Sequence, residues 1–195
     1  MKSYEEIYET VKKELSVARL KHSEGVSERC VEFAKLNGID INKARLIGIA
    51  HDIAKEIPRE DRIKIAIEKG IDLDEFEKEN TGLIHAKLGA EICKERFDFS
   101  DDMCQAIVAH TTAKQKMSIL DKILYLSDYC EPSRDFKQAQ EAYEIGRINL
   151  NEGYYKALVG KIKFTIDKNS KIHKDSIDAY NSYLDENKKK QEKGT

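Results

Sequence analysis

Residues 46–55, LIGIAHDIAK, place His51 and Asp52 side by side in an otherwise apolar segment. Burying a carboxylate without a partner costs free energy, so Asp52 needs a cation, a hydrogen-bond donor or a metal ion beside it. Histidines at positions 22, 85 and 110, and a second acid between apolar neighbours, Asp128, are candidate partners elsewhere in the chain. Together these imidazole and carboxylate groups favour a metal ion.

The composition is typical of a globular protein of one domain. The 195 residues are 40% hydrophobic, and a chain of this length is long enough to bury a sizeable core. The formal net charge of -2 argues against a protein that binds nucleic acid by neutralising phosphates. No apolar run approaches the ~20 residues that a membrane-spanning helix needs, and the acidic N-terminus is unlike a signal peptide.

The cysteines carry information about the cellular compartment. The four residues, at positions 30, 93, 104 and 130, lie far apart and form no C-x-x-C pair. This spacing predicts reduced, mostly buried thiols and a cytoplasmic protein, and it argues against a zinc site built from thiolates.

The hydrophobic pattern has the period of helices throughout, and period-2 alternation is nearly absent. With only two prolines and ten glycines, the chain is predicted to be all-α, a single helical bundle over residues 1–187 followed by a flexible charged tail over residues 188–195. Asn42 and Ser118 are predicted N-caps, and Asp175 opens the last helix. The longer predicted helices cover residues 4–18, 23–37, 42–55, 59–69, 84–96, 102–110, 119–130, 138–147, 150–168 and 175–187.

Four histidines and two acids fall on five of these helices, mostly near helix ends, where side chains can meet in a cleft without disrupting a bundle. Imidazole with carboxylate suits iron, manganese, cobalt or zinc better than calcium. Each residue alone also has an ordinary interpretation, as a surface or hydrogen-bonded side chain. The ordered set is more informative than its members: His22, His51-Asp52, His85, His110 and Asp128.

This ordered set resembles the HD-domain phosphohydrolase superfamily. Further segments resemble the bacterial YqeK-type symmetrical bis(5'-nucleosyl)-tetraphosphatases, and the likeness covers about residues 15–185. These segments are HDIAK at 51–55, HTT at 110–112, MSILDKILYLSD at 117–128, EPSRDF at 131–136 and IHKDSIDAYN at 172–181. The chain departs from the family at Ser127, Ser133 and Lys174, where alanine, asparagine and proline are more usual, and none of these changes removes a group that the site needs.

The resemblance implies a metal site of two imidazoles and two carboxylates. Iron would be bound by His22, His51, Asp52 and Asp128, with manganese or another divalent metal as the alternative. Two roles stay open for His85 and His110: they hold a second metal with Asp52 as the bridge, or they donate to phosphate. Thr111 stands where dinuclear relatives often have a further ligand, which favours one firm metal site and leaves a second open.

Several groups near the set could bind phosphate or nucleoside. Lys55 follows Asp52 by three residues and is predicted to act with it in catalysis, although a surface lysine is the simpler interpretation. Arg134 follows a helix ended by Pro132 and is suited to phosphate oxygens. The resemblance places the segment from Ile172 to Asn181 near the nucleotide. The predicted substrate-binding residues are Arg19, Lys55, Thr111, Thr112, Arg134, Asp135, His173, Tyr180 and Asn181.

The activity implied is metal-assisted hydrolysis of diadenosine tetraphosphate, or a related dinucleoside polyphosphate, to two nucleoside diphosphates. The alternatives are an HD phosphohydrolase acting on nucleoside triphosphates, cyclic nucleotides or guanosine tetraphosphate, and a nucleotide sensor without turnover. The expected partner is a small nucleotide, not nucleic acid or a membrane. The sequence leaves monomer and homodimer open.

Overall fold

The structure is a computed structural model that describes the backbone of residues 1–193 and the side chains of residues 1–188. Over this part the chain is all-α, as predicted, and consists of eleven helices. They are α1 (Tyr4–Glu14), α2 (Val17–Asn37), α3 (Ile41–Ala50), α4 (Arg59–Glu68), α5 (Glu75–Glu79), α6 (Ile84–Phe97), α7 (Asp101–Thr112), α8 (Ile119–Tyr129), α9 (Lys137–Ile148), α10 (Leu150–Asp167) and α11 (Lys174–Lys193).

Two helix boundaries near the site differ from the predictions. The helix predicted for residues 4–18 ends at Glu14, because Ser16 takes extended backbone and caps α2 by accepting a hydrogen bond from the Arg19 amide. His22 therefore lies inside α2 and not at its start. The helix predicted to continue to residue 55 ends at Ala50, and residues 51–56 form turns instead. At its other end Asp40, not Asn42, is the N-cap of α3.

The centre of the bundle is formed by α2, α3, α7 and α8, with α2 packed on α3 and on α8. Their inward faces supply fully buried side chains such as Val26, Phe33, Ile47 and Leu124. A smaller apolar cluster under α4 includes Ala66, Ile84 and Leu88. The ends of these central helices converge on one region, which holds the histidines and acids described below.

The close packing of α2 on α3 requires Gly48. An added Cβ there would lie 2.6 Å from the Cα of Ser27, a backbone atom that cannot give way alone. We expect Gly48→Ala to lower the free energy of unfolding by about 1–3 kcal/mol, the usual cost of overpacking, in a urea denaturation series. Gly82→Ala is the matched control, since its Cβ would meet only the Arg59 side chain at 3.8 Å. Equal unfolding midpoints for the two variants would contradict this account.

The C-terminal third covers one side of the centre. Helices α9 and α10 pack together as a pair, α10 also packs on α8, and α11 packs on α10. At the start of α11, the Ser176 hydroxyl donates to the Thr112 carbonyl at 2.8 Å, which joins this helix to the end of α7. The helix is described to Lys193, beyond the end predicted near residue 187. Residues 194 and 195 and the side chains of 189–193 lie outside the described part, so the flexible tail stays a prediction.

In the described part of the chain, we find no helix that combines the length and the apolarity needed to cross a bilayer.

Candidate metal centre

The structure brings together the six histidines and acids that the sequence singled out. Five are buried and the Asp128 side chain is 16% exposed. They come from α2 (His22), the turn after α3 (His51 and Asp52), α6 (His85), α7 (His110) and α8 (Asp128). Five separate segments thus supply one cluster.

One group of ligand atoms forms around the Oδ2 atom of Asp52. The Nε2 atoms of His51 and His22 lie 3.6 and 3.9 Å from it. The Oδ1 atom of Asp128 lies 3.2 Å from His22 Nε2 and 4.0 Å from His51 Nε2. We call these four residues the first ligand group; they are the four that the resemblance assigns to iron.

A second group forms around the other carboxylate oxygen of the same aspartate. His85 Nε2 and His110 Nε2 lie 3.1 and 3.6 Å from Asp52 Oδ1, and 3.2 Å from each other. We call Asp52, His85 and His110 the second ligand group. Because Asp52 faces one group with each oxygen, it has the position of a bridge between two ions.

All the histidines direct Nε2 into the cluster because Nδ1 is bound elsewhere. The Nδ1 atoms of His51, His85 and His110 lie 2.6–2.8 Å from backbone carbonyls three residues earlier, of Gly48, Gly82 and Ile107. A carbonyl oxygen can only accept, so in each ring Nδ1 carries the proton and Nε2 has a free lone pair. Such hydrogen bonds are usual behind metal-binding histidines.

The protonation states also suit metal binding. Burial lowers the pKa of His51 to about 4 and lowers the pKa of His85 and His110. The three imidazoles are therefore neutral at pH 7, the form that ligates a metal. Burial alone would raise the pKa of Asp52, but His51, His110 and His85 hold that pKa well below its ordinary value, so Asp52 is a carboxylate.

Unsatisfied polar atoms test whether the residues fit a metal. His22 Nε2, His51 Nε2 and Asp52 Oδ1 are buried and make no hydrogen bond within the described part of the chain. Leaving such atoms unpaired is costly. A cation in the first ligand group would satisfy the two histidine nitrogens, and a cation or donor in the second group would satisfy Asp52 Oδ1. Their donor set of imidazole and carboxylate fits a divalent metal. His22, His51 and Asp52 are close enough together to hold one ion, and so are Asp52, His85 and His110.

Two cations border the cluster, as the sequence predicted. Arg19 Nη1 lies 2.9 Å from Asp52 Oδ2, and Lys55 Nζ lies 3.6 Å from Asp52 Oδ1 and 3.1 Å from His85 Nε2. Lys55 reaches this position from a turn, and not from the helix face that the sequence predicted. Both side chains are about one-third exposed, so they can also contact a ligand in solution.

Two further residues support the cluster and were given no role by the sequence. Glu131 Oε1 accepts from His22 Nδ1 at 3.3 Å, and the same carboxylate is held by the Ser133 amide and hydroxyl. Lys161 Nζ donates to Asp128 Oδ2 and to the His110 carbonyl, both at 2.9 Å. Glu131 lies in the quoted EPSRDF segment, whereas no pattern in the sequence distinguishes Lys161.

Glu131 is expected to orient His22 for metal binding. Glu131→Ala should weaken metal affinity by about 10- to 100-fold, the usual effect of losing a partner of a ligating histidine. Isothermal titration of Mn²⁺ into metal-free protein measures this affinity. Glu144→Ala removes an exposed acid on α9 and should leave the affinity unchanged. An unchanged affinity in Glu131→Ala would exclude the orienting role.

Lys161, which supports the cluster, lines two cavities. The first, which we call the His173 cavity, measures about 570 Å³, and its lining includes Gly82, Thr111, Thr112 and His173. The second, the Arg134 cavity, measures about 700 Å³, and its lining includes Thr111, Asp128 and Arg134. Five of the predicted substrate-binding or metal-binding residues therefore line space large enough for a ligand.

Five predicted substrate-binding residues line neither cavity. Arg19 and Lys55 contact the cluster instead, whereas the other three do not. Asp135 is exposed, and its carbonyl accepts from the Gln140 side chain. Tyr180 stacks on Tyr155 with ring centroids 5.9 Å apart, and Asn181 is exposed on α11. Their roles stay predictions, without a geometric connection to the cluster.

The chain belongs to the HD domain family, whose model matches residues 19–133. Within that family, it is 35% identical to a protein of Halalkalibacterium halodurans named bis(5'-nucleosyl)-tetraphosphatase, symmetrical, over 91% of this chain and 95% of that protein. A Bacillus subtilis protein of the same name is 30% identical over the same shares. The fold matches the crystal structure of an HD superfamily hydrolase from Clostridium acetobutylicum, which is described as involved in NAD metabolism. The TM-score is 0.91 and the sequence identity is 35%, and the match covers 95% of this chain and 99% of that one.

Proposed function

We propose that this protein is a metal-dependent hydrolase that splits diadenosine tetraphosphate into two molecules of ADP. The observation that carries the proposal is the shared carboxylate of Asp52, which faces one ligand group with each oxygen. Two ligand-sized cavities are lined by Lys161, which contacts Asp128. The names of the two relatives quoted above support the choice of substrate.

We further propose iron in the first ligand group, with manganese as the alternative that the same donors accept. When bound, such a metal supplies Lewis-acid chemistry: it polarises a phosphoanhydride and favours the ionisation of water. The second ligand group either holds another ion or binds a phosphate oxygen, and the close Nε2 atoms of His85 and His110 are compatible with both.

The protein's own residues position the substrate and balance its charge. Water adds its oxygen to one central phosphorus, and the bond from that phosphorus to the central bridging oxygen breaks, so both products are ADP. Lys55 and Arg19 are close enough to Asp52 to neutralise charge that develops on phosphate there. Arg134, which lines the Arg134 cavity, is a third donor suited to phosphate oxygens.

The decisive experiment incubates manganese- or iron-loaded protein with diadenosine tetraphosphate in ¹⁸O-labelled water. We expect two ADP per substrate, with the label on one of the two. AMP with ATP would exclude the symmetrical reaction. Tight nucleotide binding without turnover, even after anaerobic loading with ferrous iron, would exclude an enzyme of this kind.

Arg134 tests the role of the cations. Its side chain is 41% exposed and lies 3.5 Å from Glu131, so truncation should leave the fold intact. We expect Arg134→Ala to lower kcat/KM for diadenosine tetraphosphate by about 10- to 100-fold, because a hydrogen bond to a charged group is lost. Arg147→Ala, at an equally exposed arginine on α9, is the control. Wild-type kinetics in Arg134→Ala would remove this residue from the site.

Location and assembly complete the proposal. We propose a cytoplasmic enzyme, and the four free cysteines, three of them buried, support a reducing compartment. Light scattering of the purified protein would distinguish the monomer from the homodimer.

A further inference from the structure

We infer that the His173 cavity and the Arg134 cavity hold the two nucleoside halves of one substrate. This inference rests on the proposed function, since it gives each end of a dinucleoside polyphosphate its own site. Both volumes fall in the range of about 300–1,000 Å³ that is usual for small-molecule sites.

The two cavities adjoin different ligand groups. Asp128, from the first ligand group, lines the Arg134 cavity. Gly82, whose carbonyl accepts from His85 of the second ligand group, lines the His173 cavity. Asp52 lies between the two groups. Each cavity is thus connected to one ligand group, the Arg134 cavity directly through Asp128 and the His173 cavity through Gly82.

A shared wall separates the cavities. Four residues line both of them: Thr111, Lys161, Phe164 and Thr165. In this wall Lys161 holds the Asp128 carboxylate and the His110 carbonyl, so its position is fixed relative to both ligand groups. A substrate with a nucleoside at each end could bend around this wall, with its phosphates at the metal centre and one base on either side.

The Arg134 cavity has the chemistry of a nucleobase site. Tyr129 and Phe136 meet edge to face at 5.4 Å, and Phe136 and Phe164 remain 39% and 63% exposed. Exposed rings that line a cavity can stack on a base. Gln138 adds an amide that can donate to and accept from a base edge, and Arg134 adds a guanidinium suited to phosphate oxygens.

The His173 cavity offers a second, different set of groups. Phe76 packs edge to face on His173 with centroids 5.0 Å apart, and both line the cavity. Asn80 supplies an amide, while Arg59 and Lys171 place positive charge at its border. One aromatic surface and one amide in each cavity match the two identical nucleosides of the proposed substrate.

The test counts ADP molecules bound to the manganese-loaded protein by isothermal titration. We expect two ADP per chain in the wild type, and one in Phe136→Ala and in Phe76→Ala, which each alter one cavity. Ile148→Ala is the matched control, because Ile148 is 91% exposed at the far end of α9 and lines neither cavity. It should bind two ADP and cleave diadenosine tetraphosphate at the wild-type rate. Phe136→Ala should raise KM for that substrate about tenfold, as expected when a stacking contact is lost.

The outcomes separate this inference from the proposed function. One ADP per chain at saturation, in a protein that still forms two ADP from diadenosine tetraphosphate, would overturn the two-cavity arrangement and leave the reaction intact. Two ADP bound without any turnover would support the two nucleoside sites and exclude the reaction. Two ADP bound to Phe136→Ala, with an unchanged KM, would remove the Arg134 cavity from substrate binding.

Discussion

Asp52→Asn should lose metal and activity together. Asparagine keeps the shape of aspartate but removes the charge that both ligand groups share, so the change weakens both at once. We expect kcat/KM to fall on the order of 10³-fold, because the Lewis-acid contribution of a metal amounts to several kcal/mol of transition-state stabilisation. Metal content by mass spectrometry should fall in parallel with activity.

Metal binding to Asp52 should also be visible in stability. A ligand that binds only the folded protein stabilises it by about 4 kcal/mol at 1,000 times its Kd. Manganese should therefore raise the melting temperature of the chelator-treated wild type and have little effect on Asp52→Asn. Asp98→Asn, at an exposed acid paired with the N-terminus, should respond as the wild type does. Full metal content and activity in Asp52→Asn would contradict the shared-carboxylate interpretation.

Lys161→Met should weaken metal binding through Asp128. Burial alone would raise the pKa of Asp128, and Lys161 is the foremost of the groups that hold that pKa well below its ordinary value. Methionine has a similar length but lacks the ammonium, which lies 4.1 Å from the centroid of the Tyr125 ring and donates to Asp128 Oδ2. We expect metal affinity to fall by about 10- to 100-fold, as for other groups that orient a ligand.

Two companion variants separate orientation from general destabilisation. Lys161→Arg keeps the charge and should recover part of the metal affinity, which a purely steric role would not predict. Lys156→Met removes a neighbouring lysine of α10 that pairs with Glu141, and it should keep wild-type affinity. If Lys161→Met bound manganese as tightly as the wild type, Asp128 would not depend on this lysine.

The part of the fold that positions the cluster could be predicted because the signals are local. The period of the apolar residues predicted the helices. The apolar segment LIGIAHDIAK predicted that its aspartate is buried and needs a partner. The order from His22 to Asp128 then allowed the HD family to be identified, and the matched model confirms it. Helix ends were less accurate: Ser16 and Asp40 act as caps through hydrogen bonds that other nearby residues could equally have made.

The supporting contacts could not be predicted, because they depend on the packing of distant segments. Lys161 meets Asp128 across 33 residues, and Glu131 meets His22 across 109. Glu131 lies in the EPSRDF segment, but nothing in the sequence pairs it with His22. No pattern distinguishes Lys161 from the other charged residues of a chain that is 36% charged. Tyr180, in contrast, was predicted to bind substrate because its segment resembles the family. Its ring stacks on Tyr155 and lines neither cavity.

The metal-binding residues and several cavity-lining residues lie in different parts of the chain, and this separation has an evolutionary consequence. All six clustered histidines and acids fall within residues 19–133, the part matched by the family model, whereas Lys161, Phe164 and His173, which line the cavities, come after it. Substitutions in the C-terminal third that keep Lys161 can therefore change which nucleotide fits while the metal-binding residues stay the same. A chimera that joins this N-terminal part to the C-terminal helices of a relative should acquire the substrate preference of that relative.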